Sequence, residues 1–539
     1  MTPMDVGMQY LAIVPLLIVA VGALLGVLAE ALVPRGHRFT VQVWLTCLVI
    51  LAALVFTGRD WYDKDARHLA GLGSLSLDAA TLLCWFGLLI FALGAVILAA
   101  QRFGGALSFT AMAVAAPGSP DEQEAEAGGS EHTEVFPIML FALLGMLVFP
   151  AASDLLTAFI GLEVMSLPFY LLCGLARRRR LLSHEAALKY FLLGAFSSAI
   201  FLYGAALTYG FAGGVDYATI DEALTQTLSR EPLMLAGFGL LMVGLLFKVG
   251  AVPFHSWVPD TYTGAPTPVT AYMAVGTKVA AFGALARLLY SAFGGLQWTW
   301  TIPLAIVAAL TMTVGSLSGL TQTNIKRLLA YSSIAHAGFV LAALAAALGV
   351  TAGVGGLTSM TTLVYYLGAY GLATLGAFGV VLLVRNSTGE TTELTAWAGL
   401  GRRHPWLAAV MTLFLCSLAG IPATAGFIGK VDAFVVAWRA GLWWLVIIGL
   451  VCSLIALAFY MRVVLVMWFG RPPAAVPAQP DAAETSGADE APEVARGGAA
   501  RPSIALAGLL VLCAAGTLVA GLVPDLFTTW ASLAGQLLR

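Results

Sequence analysis

Three lysines and one glutamate stand deep inside apolar stretches of this chain. Glu163 lies in LLTAFIGLEVMSLPFYLLCGL, Lys248 in LMLAGFGLLMVGLLFKVGAVPF, Lys278 in VTAYMAVGTKVAAFGALARLL and Lys430 in LFLCSLAGIPATAGFIGKVDAFVV. A charge at mid-membrane depth costs at least about 2.5–3.5 kcal/mol, so four of them in separate stretches point to a use. Moving charge, above all protons, is the use that fits the residue types. Desolvation lowers the pKa of a lysine and raises that of a glutamate, so a buried pair of the two can exchange protons near neutral pH. Glu163 with Lys248 is the expected pair. Lys189, His255 and His336 are secondary relay candidates; each histidine sits beside serines (Ser256; Ser332 and Ser333) in an otherwise apolar run. Arg287 and Arg462 lie nearer the ends of their stretches and read as anchors that snorkel to the headgroups. Asp154 and Asp432 are less central, and Asp432, two residues from Lys430, points elsewhere on the helix.

The elements that position these groups are membrane helices. Of 539 residues, 60% are hydrophobic and only 10% charged, against about 25% charged in a soluble domain. With about 20 apolar residues per crossing, about fourteen spans are expected: 8–33, 39–57, 77–101, 135–150, 152–175, 185–212, 232–257, 264–293, 299–321, 325–348, 355–385, 404–438, 441–469 and 503–531. Basic residues collect after the odd-numbered spans (Arg35 and Arg38, Arg177–Arg180, Lys326 and Arg327, Arg402 and Arg403, Arg471, Arg496 and Arg501), with Arg59, Lys64 and Arg67 dissenting. The positive-inside rule then puts those loops in the cytoplasm and both termini outside. The first ten residues lack a basic n-region, and the first apolar run reads as a retained helix.

Pro253 and Pro422 interrupt two of these stretches, each close to a buried lysine. Proline removes a backbone hydrogen bond, and freed carbonyls at membrane depth are tolerated where they line a polar cavity. The interrupted seventh and twelfth helices are five apart, so two five-helix units of opposite orientation, inverted repeats, are expected. The fold class is an all-α integral membrane protein of about fourteen transmembrane helices, with two inverted five-helix repeats and two broken helices. Its parts are an N-terminal three-helix segment with an acidic cytoplasmic loop (1–134), a first repeat (135–293), a second (299–469), a flexible loop (470–502) and a C-terminal helix (503–539). Segments 117–134 and 472–502 are too polar, or too rich in Pro and Ala, to bury a core.

Composition excludes several functions. A net charge of −2 points to no nucleic-acid partner. The six cysteines are scattered without a CxxC pair, which argues against a disulfide framework, a zinc site or an iron–sulfur cluster. No Gly-rich phosphate loop follows a strand, so NADH and FMN have no site in the pattern.

The segments LLTAFIGLEVMSLPFYLL, ALKYFLLGAFSSAIFLYG, FKVGAVPFHSWVPDTYTGAPTPVTAYMAVGTK, NIKRLLAYSSIAHAGF and GIPATAGFIGK resemble the antiporter-like, proton-translocating subunits of respiratory complex I, and among them the subunit N family of bacterial NADH-quinone oxidoreductase. The resemblance runs from about residue 136 to 470. It implies the fourteen-helix fold, a Glu163–Lys248 pair in one half-channel, Lys278 as central relay, Lys430 as terminal residue, and Lys189, His255 and His336 on the connecting polar axis. Lysine at 430 suits subunit N better than the related subunit M, and chain length argues against subunit L. The resemblance also implies partners: a neighbouring antiporter-like subunit, small helical membrane subunits, and a peripheral redox arm that carries NADH, FMN, iron–sulfur clusters and quinone, in a bacterial cell membrane. The 117–134 and 472–502 segments depart from the family pattern. A subunit of a multisubunit sodium/proton exchanger and a membrane subunit of a proton-pumping hydrogenase are the alternative readings.

Overall fold

The structure, a computed structural model, describes residues 11–62, 69–103, 107–109, 132–176, 180–226, 232–346, 357–386, 389–471 and 498–533. Twelve helices among the described residues are long and apolar enough to cross a membrane. In chain order the helices that matter here are α1 Val14–Leu32, α2 Arg35–Tyr62, α3 Ala79–Ala99, α4 Val135–Ala151, α5 Leu155–Cys173, α6 Arg180–Ala212, α7 Pro232–Val249, α8 Trp257–Gly264, α9 Thr267–Ala292, α10 Gln297–Leu320, α11 Ile325–Ala345, α12 Ser359–Leu383, α13 Pro405–Ala419, α14 Ala425–Arg439, α15 Trp443–Phe469 and α16 Ile504–Leu522. The expected spans match these closely, except that 232–257 ends as a helix at Val249, with α8 following from Trp257, and that 404–438 and 503–531 each divide in two, the latter at Val523 before a short helix, Pro524–Ser532. Short polar caps set several starts: the Asp78, Asp154, Asn324 and Ser503 side chains accept from backbone N–H groups of the first turns of α3, α5, α11 and α16.

Burial sorts the helices into layers. The apolar window of α9 is 100% buried, and those of α11 and α12 are 94% and 89% buried, whereas α2 and α16 are each 28% buried. Lys278 and His336 therefore ride on the central helices, and α1, α2, α6 and α16 make the periphery. The outer face of α6 is apolar, with Leu188, Phe191, Leu192 and Phe196 exposed.

Small sheets join some loops. Strands β1 Leu69–Ala70 and β2 Leu75–Ser76 pair antiparallel, and β3 Val384–Asn386 lies between β4 Gly389–Glu390 and β5 Gly498–Ala499. Residues 498–499, expected inside a flexible loop, are thus tied to the end of α12, with the Ala500 N–H on the Leu383 carbonyl. The bulk of that loop, 472–497, and residues 117–131 of the acidic segment lie outside the described residues.

The two broken helices are real, but glycine rather than proline ends each first half. Gly250 closes α7 at φ +73 and Gly420 closes α13 at φ +85, left-handed conformations that glycine adopts without a Cβ penalty. The Ile421 N–H reaches back to the Cys416 carbonyl and the Ala251 N–H to the Leu246 carbonyl, as in a Schellman-type stop. Pro253 and Pro422 fall within the unwound segments, exposed, and keep the chain from resuming the helix too early.

Candidate functional site

Each break leaves the last carbonyl of its first half-helix without an intrahelical partner, and a buried lysine takes that carbonyl in both. The Lys278 ammonium, from α9, donates to the Val249 carbonyl at 2.9 Å. The Lys430 ammonium, from α14, donates to the Ala419 carbonyl at 2.8 Å and to Ser453 Oγ at 3.1 Å. A helix C-terminus carries partial negative charge, so a cation there offsets part of its own burial cost. Lys248, Lys278 and Lys430 are 2%, 3% and 4% exposed, which excludes snorkelling for all three. Lys278 also follows a wide, π-type turn, Met273–Thr277, in which Thr277 Oγ1 bonds back to the Met273 carbonyl at 2.6 Å.

Glu163 and Lys248 lie near each other without contact. Lys248 Nζ meets the Tyr190 hydroxyl at 3.5 Å, and Glu163 Oε1 is buried with no hydrogen-bond partner among the described residues. The Glu163 charge nevertheless acts on Lys248. Of the secondary candidates, His336 is buried and hydrogen-bonded at both ring nitrogens. Its Nδ1 meets the Tyr366 hydroxyl at 2.7 Å and its Nε2 the Tyr460 hydroxyl at 3.3 Å, while Tyr460 joins Ser332. The charges of both Lys430 and Lys278 reach this imidazole. Phe339, one helical turn from His336, lies 5.1 Å below Lys430 Nζ in a cation–π contact. A cavity of about 10 Å³ opens beside His336, Tyr366 and Ser417, close to the least volume that holds one water.

Two candidates stand off this line. Lys189 is 44% exposed and pairs with Glu185 at 2.6 Å and Asp260 at 2.9 Å, and Arg327 shares Asp260 at 2.9 Å. His255 lies in the first break, half-buried, with Nδ1 unpartnered among the described residues.

Both arginines differ from their expected role as headgroup anchors. Arg287 is 2% exposed, forms a 2.7 Å ion pair with Asp78, and donates to Thr81 Oγ1 at 2.6 Å and the Pro150 carbonyl at 2.8 Å. It ties α9 to the start of α3 and the end of α4. Arg462 turns inward from α15 onto the Leu320 and Gln322 carbonyls at the end of α10. Lys326, counted with the cytoplasmic basic residues, is buried and donates to the Ala265 carbonyl at 2.7 Å just beyond α8. Asp154 caps α5 through the Thr157 N–H. The sequence reading missed Asp78, Tyr190, Tyr366, Tyr460 and Ser453. A helix-capping signal marks Asp78, but nothing local marks the others.

Residues 152–456 match the family model described as NADH:quinone oxidoreductase/Mrp antiporter, transmembrane. Over 98% of this chain and 98% of the relative, the sequence is 49% identical to NADH-quinone oxidoreductase subunit N of Nocardioides sp.. The chain belongs to the NADH-quinone oxidoreductase subunit N family. A chain of respiratory complex I from Thermus thermophilus superposes with a TM-score of 0.73 at 32% identity, covering 96% of this chain and 99% of that one. A chain of the Mrp complex from Dietzia sp. superposes at 0.78 with 21% identity, covering 99% and 97%, a likeness of fold alone. Membership of the subunit N family agrees with the resemblance carried by the five sequence segments, and the family model covers most of their extent.

Proposed function

We propose that this chain is a proton-translocating membrane subunit of an NADH:quinone oxidoreductase. Electron transfer from NADH to quinone belongs to partner subunits, which carry the FMN, the iron–sulfur clusters and the quinone site. The observation that carries the reading is the pair of broken helices whose terminal carbonyls are held by buried lysines, with the hydrogen-bonded His336 one helical turn from the ring that Lys430 contacts. A helix C-terminus favours the protonated amine and burial favours the neutral one, and these opposed effects let a buried amine take up and release a proton, which is what a relay requires. In this reading a shift of Glu163 against Lys248 changes the proton affinity of Lys248, and the effect passes through Lys278 and His336 to Lys430. Lys189 and His255 serve at the margin of the line.

The finer architecture follows. Adding α4 and the broken pair α13–α14 to the twelve long helices makes fourteen passes, α8 completing the pass begun by α7. Passes four to eight (135–293) and nine to thirteen (299–469) form inverted repeats, each with one break; 1–134 precedes them, and 470–502 and 503–539 follow. Basic residues place the loops after odd-numbered passes in the cytoplasm and both termini outside a bacterial cell membrane. The partners are a neighbouring antiporter-like subunit, small helical subunits and the peripheral redox arm. The exchanger and hydrogenase readings rest on fold likeness; copurification with an NADH-oxidising membrane complex separates them from this one.

The decisive test is Lys248→Ala in the whole complex, reconstituted into vesicles. Protons moved per NADH oxidised should fall steeply while the complex stays assembled. An unchanged ratio overturns the relay.

A further inference from the structure

Lys248 is a buried cation with no carboxylate at ion-pair distance among the described residues, and what surrounds it instead is aromatic. Its ammonium lies 5.2 Å from the centroid of the Tyr190 ring and 5.6 Å from that of Tyr170. The two rings meet edge to face at 4.7 Å. Tyr190 stacks on Trp257 at 4.5 Å, and the Trp257 indole N–H donates to the Phe247 carbonyl at 3.0 Å, one residue before Lys248. The cage is therefore bolted to the helix end that carries the lysine. Tyr170 comes from α5, seven residues after Glu163, which is about two turns along the same face. Its hydroxyl is buried without a hydrogen-bond partner among the described residues and fits against Gly194, where a Cβ would stand 2.1 Å from the hydroxyl oxygen.

We propose that Tyr170 and Tyr190 are positioning residues that form a cation-binding cage, holding Lys248 charged and apart from Glu163. The proposal rests on the reading of Lys248 as a relay residue and adds the second position that a switch needs. In a low-dielectric interior an unpaired ammonium and carboxylate attract strongly. Without a competing site, Lys248 either closes onto Glu163 and stays, or gives up its proton. Electron-rich ring faces supply the competing site, because the ring quadrupole attracts a desolvated cation by enough to shift the balance between two positions about tenfold or more. The Glu163–Lys248 pair then opens and closes against the cage rather than against water. Tyr170 couples the two ends directly, since it shares a rigid helix with Glu163.

The test compares ring with hydroxyl in the assembled complex in vesicles, measuring protons moved per NADH. Tyr190→Leu and Tyr170→Leu remove a ring and should lower pumping by about tenfold, whereas Tyr170→Phe keeps its ring and should restore most of it, and Tyr190→Phe, which also loses the 3.5 Å hydroxyl contact to Lys248, should restore less. Gly194→Ala pushes Tyr170 aside without altering Lys248, so it should lower pumping, and the Gly194→Ala/Tyr170→Phe double variant should recover a small part of it, since it removes the hydroxyl at 2.1 Å but leaves ring Cζ at 2.8 Å from the new Cβ. The glycine series decides the matter if a leucine variant fails to assemble. Normal pumping by Lys248→Ala would sink the relay reading itself. Loss in Lys248→Ala with normal pumping in the leucine variants, or Tyr170→Phe as impaired as Tyr170→Leu, would overturn the cage alone.

Discussion

The two breaks solve one backbone problem by different means. In the first, the pieces come from elsewhere: Lys278 of α9 holds the Val249 carbonyl, and Thr311 Oγ1 of α10 accepts from the Val252 N–H at 3.0 Å. In the second they are largely internal: Lys430 of α14 holds the Ala419 carbonyl, and Ser417 Oγ of α13 accepts from the Gly426 N–H at 3.2 Å. The difference matters for charge. Because Lys278 caps the first break, Lys248 is released from that duty and can face the tyrosines and Glu163. In the second break Lys430 caps the carbonyl itself, with Ser417 and Ser453 beside it. In the proposed relay the first half is the one that changes state and the second the one that receives a proton.

Breaking the external support should have the largest effect. Arg287 fixes the far end of α9, and so the helix that delivers Lys278. Arg287→Ala removes the cation of a buried ion pair, a loss of about 3–5 kcal/mol. The subunit should fail to accumulate in membranes. Replacing Asp78 by alanine at the same time should restore part of that accumulation.

Next come the two left-handed glycines. An alanine at φ near +73 or +85 costs roughly 1–2 kcal/mol in backbone strain at either site. The side-chain consequence separates them. At Gly420 a Cβ would stand 2.9 Å from Lys430 Cδ and 3.3 Å from its Nζ, whereas at Gly250 it meets only Val258, at 2.9 Å. Thermal unfolding should show a similar loss for both variants. Proton pumping should fall further for Gly420→Ala. Equal pumping would mean that Lys430 does not depend on its seat at the break.

The smallest effect belongs to Ser453→Ala. It removes one of two acceptors from Lys430 and should cost about 1 kcal/mol, with a modest slowing of proton transfer and a normal amount of assembled complex.

Much of this was legible beforehand, for physical reasons. A membrane helix has to be apolar along its length, so the spans showed themselves, and a lysine inside such a run stands out against its background. Lys248, Lys278, Lys430 and His336 were therefore found one by one. What was misread depended on distant partners. Arg287 looks like an anchor because it lies near a helix end, and its ion pair with Asp78 spans 209 residues of sequence. Tyr170 and Tyr190 look like ordinary aromatic packing until the fold brings both rings to one ammonium. Pro253 and Pro422 read as helix breakers, while the turn itself is made by Gly250 and Gly420, each followed by proline within three residues, the spacing of a helix stop.

The amino-acid sequence by itself determined that the chain is a bundle of membrane helices, because burial in lipid leaves a hydrophobic helix as the only way to satisfy the backbone of such segments. It also marked Lys248, Lys278, Lys430 and Glu163 as charges to be accounted for, because each stands mid-run where it is too costly to be incidental, but not the buried Arg287, Lys326 and Asp78 nearer the ends of their stretches. The tertiary structure alone decided what each charge does. Which lysine caps which carbonyl, and which faces the tyrosine rings, depends on how separate helices are set against one another, and a capping bond across 29 residues or an ion pair across 209 leaves no trace in local periodicity.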